Sequence, residues 1–359
     1  MAISKDTLSD LLRSVRLRGA IFYYVDGVAP WVAETPHARE IASEILSGAE
    51  HVIEYHVVTR GSCFGAVAGE EAVKLEAGDV IMFPQGHAHV MSSAPGMRAK
   101  TVNKVVHFSP QPSQLPYALT VRGEEVCLTS RLDGAAEGDA TIVCGFLGCD
   151  ARPFNPLLAA LPRRLHIPSA AEKSGWLDHF MQVAVRESVE RRPGGEAMLE
   201  RLSEMMFVDV VRRYLEALPP EQTGWLAGLR DRYVGRALAL LHERPSHRWT
   251  IDNLGDAVGL SRSALYERFV QLVGQPPMHY LTQWRMQVAS QLLLESTMNV
   301  ASVALETGYD SEAAFSRAFK RLVGMPPAAW RRRRTGGSPD ETETHTVEDR
   351  TSASAGTSA

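Results

Sequence analysis

The sequence has no apolar run approaching the ~18 residues that a membrane-spanning helix needs. No membrane partner is therefore expected. The opening residues, Met1-Ala-Ile-Ser-Lys-Asp6, lack the apolar core of a secretory signal, so a cytoplasmic location is expected. Cysteines are few, four in 359 residues. At this length they make no disulfide framework, and a reducing compartment would keep them as thiols. A strong excess of one charge is also missing. The chain carries 38 Lys and Arg against 42 Asp and Glu, a net charge of −4. The distribution is uneven, however. Residues 230–334 hold 15 basic against 9 acidic side chains, residues 1–229 hold 22 against 28, and the tail 335–359 holds 1 against 5. The basic excess is thus confined to one stretch, as contact with nucleic-acid phosphates requires. A length of 359 residues at 45% hydrophobic content allows two or three domains, each with its own core.

That basic stretch contains an internal repeat. Leu254 to Phe269, followed by Leu272-Val-Gly-Gln-Pro-Pro277, is echoed about fifty residues on by Val303 to Phe319 and Leu322-Val-Gly-Met-Pro-Pro327. Two copies are too few for a solenoid. Each copy is punctuated as a helix-turn-helix. A short apolar helix ends at Gly259 or Gly308, suited to a left-handed turn. Ser261 or Ser311 then caps the next helix. That helix buries one face, Leu265 with Phe269 or Phe315 with Phe319. The other face presents Arg262, Ser263, Tyr266 and Glu267 in the first copy, and Ala313, Ser316, Arg317 and Lys320 in the second. These are the side chains expected to reach double-stranded DNA if the helices enter its major groove. Met278 to Glu295 has helical spacing and no breaker. About 18 residues span roughly 27 Å, long enough to hold two recognition helices about one DNA turn apart.

At these residues the chain resembles the AraC/XylS family of transcriptional regulators, over about residues 229–334. The specific part is Ala304-Leu-Glu-Thr-Gly-Tyr-Asp-Ser-Glu-Ala-Ala-Phe-Ser-Arg-Ala-Phe-Lys320, closing on Gly-Met-Pro-Pro and Trp330-Arg331. The resemblance implies that the second helix of each unit reads DNA. Ser263 and Glu267 depart from it, being small or acidic where many relatives carry larger or basic groups.

Upstream, residues 6–18 read as an amphipathic helix. β-rich runs then follow at Ile21–Val25, Val52–Thr59, Val73–Leu75, Val80–Phe83, Thr101–Phe108 and Thr141–Leu147, separated by Gly, Pro and Ser turns. Many short strands at such spacing predict an antiparallel barrel or jelly roll. Gly78-Asp-Val-Ile-Met-Phe-Pro84-Gln-Gly86-His-Ala-His89 resembles the second signature of the cupin barrels, with Ser93 where an asparagine is expected. Glu54, seven residues before Gly61, fits the first signature, but the two histidines that should precede it are missing. The resemblance implies a sensor pocket, with Glu54, His56, His87 and His89 as its candidate residues. No resident cofactor is expected. A bound metal stays open, since a catalytic site usually takes three or four protein ligands. Cys144 and Cys149 are a candidate redox pair in the closing strand. The alternative is buried filler, because Cys144 sits in an apolar strand; a disulfide would need a bend at Gly148, since five residues along a continuous strand hold the two thiols too far apart.

Residues 176–191 and 197–218 read as an antiparallel helical hairpin with a wide apolar surface, a candidate homodimer contact. Residues 221–227 read as a bridge to a helix over 229–243. Arg331–Arg334 is a charge run at the end of the last helix, either phosphate-contacting or solvated. The tail 335–359 has no apolar periodicity and reads as disordered.

The expected architecture is multidomain α+β. A cupin-like β-barrel (1–168) is followed by a helical hairpin and linker (169–228), an all-α tandem helix-turn-helix domain (229–334) and the tail. The expected function is a sequence-specific DNA-binding transcription regulator whose barrel senses a small-molecule effector or a chemical signal, with RNA polymerase as a further candidate partner. Three alternatives remain: a metal-dependent cupin enzyme fused to a DNA-binding domain, a thiol-based oxidant sensor, and a barrel that only scaffolds a dimer.

Overall fold

The computed structural model describes residues 6–15, 17, 22–46, 49–100, 117–129, 138–151, 153–169, 182–183, 186–187, 193–219 and 221–332. The chain forms two compact units, Met1–Gln287 and Val288–Ala359.

The first unit begins with a short helix, α1 (Thr7–Ser14), capped by the Asp6 carboxylate on Leu8 N–H. The barrel follows. Its strands are β1 (Phe22–Thr35), β2 (His51–Val67), β3 (Val73–Glu76), β4 (Val80–Phe83), β5 (His89–Ser92), β6 (Tyr117–Gly123), β7 (Glu125–Thr129), β8 (Ala140–Cys149) and β9 (Leu165–Ile167). Helix α2 (Ala38–Ile45) lies between β1 and β2, and α3 (Pro156–Ala160) between β8 and β9. Two long strands close the ring. The first half of β1 pairs with β8 and its last four residues pair with β5. In the same way β2 pairs with β8 over His51–Gly61 and with β5 over Phe64–Val67. The circuit β1–β8–β2–β5 therefore returns to β1, leaving no open edge among these four strands. The runs expected from about residue 21 and over 52–59 are the first segments of these longer strands. The strands continue through Pro30 and Gly61, residues that read as turns, because a barrel strand bends where it passes from one sheet to the other. The expected run Thr101–Phe108 lies outside the described residues.

Strand alternation sorts β2. Glu54 and His56 face the interior, whereas Tyr55 faces outward across Gly145, where a β-carbon would stand 2.3 Å from the phenol. The Tyr55 hydroxyl is 2.8 Å from Ser203 Oγ on α4 (Gly195–Ala217). Helix α4 is the second arm of the expected hairpin; the first, residues 176–191, falls almost wholly outside the described residues. The apolar face of α4 is buried through Leu199, Met206, Phe207, Val210 and Val211 within this unit, which leaves Met198 and Met205 exposed.

The expected bridge is not a loose linker. Trp225–Arg230 forms α5, and the Trp225 indole is buried with its Nε1–H donating to Tyr280 Oη at 2.8 Å. Helix α6 (Arg232–Glu243) follows at once, capped by Asp231. The first helix-turn-helix consists of α7 (Ile251–Val258), opened by a Thr250–Asn253 capping box, and α8 (Arg262–Val273), capped by Ser261. Gly259 sits at φ +83° between them, and Leu265 and Phe269 are fully buried. Helix α9 runs unbroken over Pro277–Glu295. In the second unit α10 (Val300–Glu306), α11 (Glu312–Val323) and α12 (Pro327–Arg332) repeat the pattern, with Ser311 capping α11. Phe315 and Phe319 fill the core beside Trp330, whose Nε1–H donates to Ser290 O.

Candidate DNA-binding face and barrel cavity

Helix α8 exposes Arg262, Ser263, Tyr266 and Glu267 on one face. Arg262 is 3.5 Å from Asp252 in an exposed pair, of the kind worth at most ~1 kcal/mol and readily exchanged for a phosphate. Helix α11 exposes Ala313, Arg317 and Lys320, with Ser316 half-buried beside them. Among the described residues Arg317 and Lys320 have no ion pair. Counting charges along the sequence overstates the basic surface. Arg268 is held by Asp231 at 2.6 and 2.9 Å, Arg285 donates to Pro245 O and His247 O, and Arg230 donates to Leu218 O. Arg331 donates to Met298 O, so the first member of the terminal arginine run is a structural group rather than a free phosphate ligand. Arg333 and Arg334 lie outside the described residues.

The barrel holds a partly open cavity of about 90 Å³, lined from β1, β2, β5, β6, β7 and β8. Of the four expected pocket residues, Glu54 and His56 line it. His89 sits one layer behind, fully buried and stacked on Phe83 at 3.9 Å. His87 is not in the pocket, and that placement is corrected. It stands over His37 at the start of α2, with ring centroids 5.7 Å apart. The alternation of β1 brings in Tyr23, Val25, Trp31 and Ala33, which the sequence reading did not single out. The period-2 pattern at Tyr23 and Val25 was the available signal, but the bend before Trp31 broke it.

The polar wall is a directed chain. His89 Nδ1–H donates to His87 O at 3.2 Å, which leaves its Nε2 to accept from His56 Nε2–H at 2.7 Å. His56 Nδ1 then accepts from the Cys144 thiol at 2.8 Å. Every member is neutral. Burial lowers the pKa of His56 well below its ordinary value, with His89 adding to the effect, and lowers that of His89 to about 4. Burial also raises Glu54 well above the usual carboxylate range. Neither Glu54 oxygen has a hydrogen-bond partner, and His89 Nε2 stands 3.7 Å away.

These residues do not fit a metal centre. Two imidazole nitrogens bound at 2.0–2.1 Å in a tetrahedral set stand about 3.4 Å apart. The 2.7 Å contact here is a hydrogen bond that uses the lone pair a metal would need. Among the described residues no three His, Cys, Asp or Glu converge to hold an ion. The redox pair is also corrected. Cys144 and Cys149 lie on one continuous strand with no bend at Gly148, which pairs regularly with Val52. Five residues of strand separate them by roughly 16 Å, against the 7 Å limit for a disulfide. Both thiols are pushed up by burial, Cys149 to about 12, so neither has thiolate character.

A barrel with an inner cavity, joined in one chain to two helix-turn-helix units, defines a transcription regulator with a cupin-type sensor part. Residues 6–216 match the model of a cupin family, and residues 254–333 match that of a helix-turn-helix domain family. The chain belongs to the AraC-like transcription regulators. It is 32% identical to one from Streptomyces lividans, over 80% of this chain and 89% of that one. It is 28% identical to the helix-turn-helix transcriptional regulator AlkR of Acinetobacter baylyi, over 91% of this chain and 99% of that one. Among solved structures, the DNA-binding domain of the transcriptional factor AdpA in complex with a target DNA matches at 30% identity, covering 30% of this chain and all of that one, with a TM-score of 0.29. Among the described residues no helix is long and apolar enough to cross a membrane.

Proposed function

We propose that this regulator reads specific double-stranded DNA through α8 and α11, and that a small effector in the barrel cavity controls that binding. It works where the chromosome is, as a homodimer along α4, whose exposed Met198 and Met205 lie two turns apart on one face. No catalytic step is assigned to it.

The observation that carries this reading is a continuous series of contacts within the first unit. Glu54 and His56 line the cavity, and Tyr55 between them touches Ser203 of α4. The carbonyl of Leu218, at the end of α4, accepts from Arg230 at 2.6 Å. Next in sequence, Asp231 caps α6 and holds Arg268 of the recognition helix α8. An effector that shifts β2 is therefore felt at α4 and passed to α8.

Two experiments test this. The full-length protein selects its own sites from random duplex DNA, and Arg317→Ala is then measured on a selected site at fixed salt. A loss of about 1–3 kcal/mol is expected, largest on the preferred sequence. Affinity equal to the parent protein would remove Arg317 from the interface. Tyr55→Phe deletes only the hydroxyl that reaches Ser203. DNA affinity without effector should change by less than about threefold, while the effector-induced change, ordinarily worth about 1–3 kcal/mol, should shrink by at least half. An undiminished response would break the proposed route at its first link.

A further inference from the structure

Glu54 is the anomaly of the barrel. It is 1% exposed, it lines the cavity, and both of its oxygens lack a partner. A buried polar group left unpaired costs about 1–3 kcal/mol, so a ligand that pairs with it recovers that cost on binding. The chemistry of the walls decides what kind of ligand. The only other ionisable carboxylate on the lining is Glu34, and Arg98 spans it at 2.5 and 3.2 Å. His56 lines the cavity with both ring nitrogens engaged, and His89 behind it is engaged in the same way. The described lining contains no Lys or Arg. It therefore offers one unmet carboxyl and no cation to receive an anion. Apart from Thr35 and Cys144 the rest is apolar and aromatic, with Tyr23, Trp31 and Phe146 supplying ring faces that favour a cation.

We propose that the barrel cavity binds a small aliphatic amine as its ammonium ion, with the –NH3+ group on Glu54 and the alkyl chain among Tyr23, Trp31, Leu119, Val121, Ile142 and Phe146. The cavity volume sets the size. About 90 Å³ is less than the 150 Å³ that admits benzene in an engineered apolar cavity. A four-carbon chain is about as bulky as benzene, so it is the upper limit, with its end toward the open side of the cavity. Glu54, protonated in the empty cavity, releases its proton to solvent as the ammonium arrives. The pair is then carboxylate and ammonium, a charge-assisted hydrogen bond about twice as strong as a neutral one, and the specificity should follow the charge of the head group rather than the length of the tail.

This inference rests on the reading of the barrel as the effector site, and the test separates the two. The full-length protein is titrated calorimetrically at fixed ionic strength with n-butylammonium, 1-butanol and butyrate, which share a short alkyl tail and differ in head group. Butylammonium should bind at least about tenfold tighter than either of the others. Glu54→Gln keeps the shape and removes the carboxylate, so its preference for the amine should vanish. If 1-butanol binds as tightly as butylammonium, the cavity remains an effector site and the amine assignment is overturned. The assignment also fails if Glu54→Gln binds butylammonium like the parent protein, or if none of the three probes binds. The comparison of the three probes on the unmodified chain stands even if the variant does not fold. DNA binding by the same preparations, measured without any probe, reports on the parent reading independently.

Discussion

Lowering the pH from 7 to 5 is expected to destabilise the native chain by on the order of 2–3 kcal/mol per pH unit near pH 5.5. Three buried histidines cause this. His56 and His89 form the polar wall of the cavity, and His242 lies under the first helix-turn-helix. In the unfolded chain each protonates near 6.5. In the native state burial holds His89 down to about 4, His242 down to about 3 and His56 well below its ordinary value. His242 has a further reason to stay neutral, since Tyr280 Oη accepts from Trp225 Nε1–H and its own proton needs His242 Nε2 as acceptor at 2.7 Å. Below 6.5 the unfolded state thus binds more protons than the native state, and stability falls as pH falls. Glu54 opposes this. Its native pKa is raised, so above about 4.5 the native state keeps a proton that the unfolded state releases, and stability falls as pH rises. Three groups outweigh one between pH 4.5 and 6.5. Urea midpoints at pH 5 and 7 measure the difference. Equal midpoints would mean that the histidines are charged and paired in the native protein.

Gly61→Ala is expected to cost about 2–5 kcal/mol, a large share of the roughly 5–15 kcal/mol that keeps a domain folded. Gly61 has φ +73°, a conformation that costs any residue with a β-carbon about 1–2 kcal/mol. The added carbon would also stand 1.9 Å from the carbonyl oxygen of Asp139, a backbone atom that cannot rotate away. Moving it would disturb the point where β2 passes from one sheet to the other. There Arg60 also reaches Thr141, which donates in turn to Asp26. The control is Gly69→Ala, also at positive φ but with open space around it, which should cost only the conformational part. Thermal melts of the two variants compare the costs. Equal shifts would mean that the strand relaxes around residue 61.

Both effects trace back to sequence features whose meaning changed in three dimensions. Glu54 and Gly61 were visible as a spacing that resembles a cupin signature, and that spacing suggested a metal. The fold turns the pair to other uses. Gly61 makes a strand crossing, and Glu54 becomes an unpaired acid because the histidines that should precede it are absent. His89, the last residue of the second signature, meets His56 rather than the cavity, and His56 lies outside the signature. The pairing depends on β2 and β5 meeting across the barrel, a contact between segments 33 residues apart that no local pattern encodes.

The helix-turn-helix units were legible almost to the residue. Their information is local: an apolar face at spacing four, a serine cap, a glycine stop and a second copy to compare. Helical hydrogen bonds join neighbours in the chain, so periodicity and caps suffice to place such elements. The sequence by itself therefore determined that this protein carries two helix-turn-helix units and a β-rich part, and which side chains the second helix of each unit presents. Only the tertiary structure decided the rest. It showed which arginines are consumed by Asp231, Leu218, Pro245, His247 and Met298, and that Cys144 and Cys149 cannot meet. It also showed that Trp31 and Tyr23 share one cavity with Glu54. The reason is physical. Long-range strand pairing and the burial of charge depend on segments far apart in sequence, and their cost or gain exists only once the chain has closed around them.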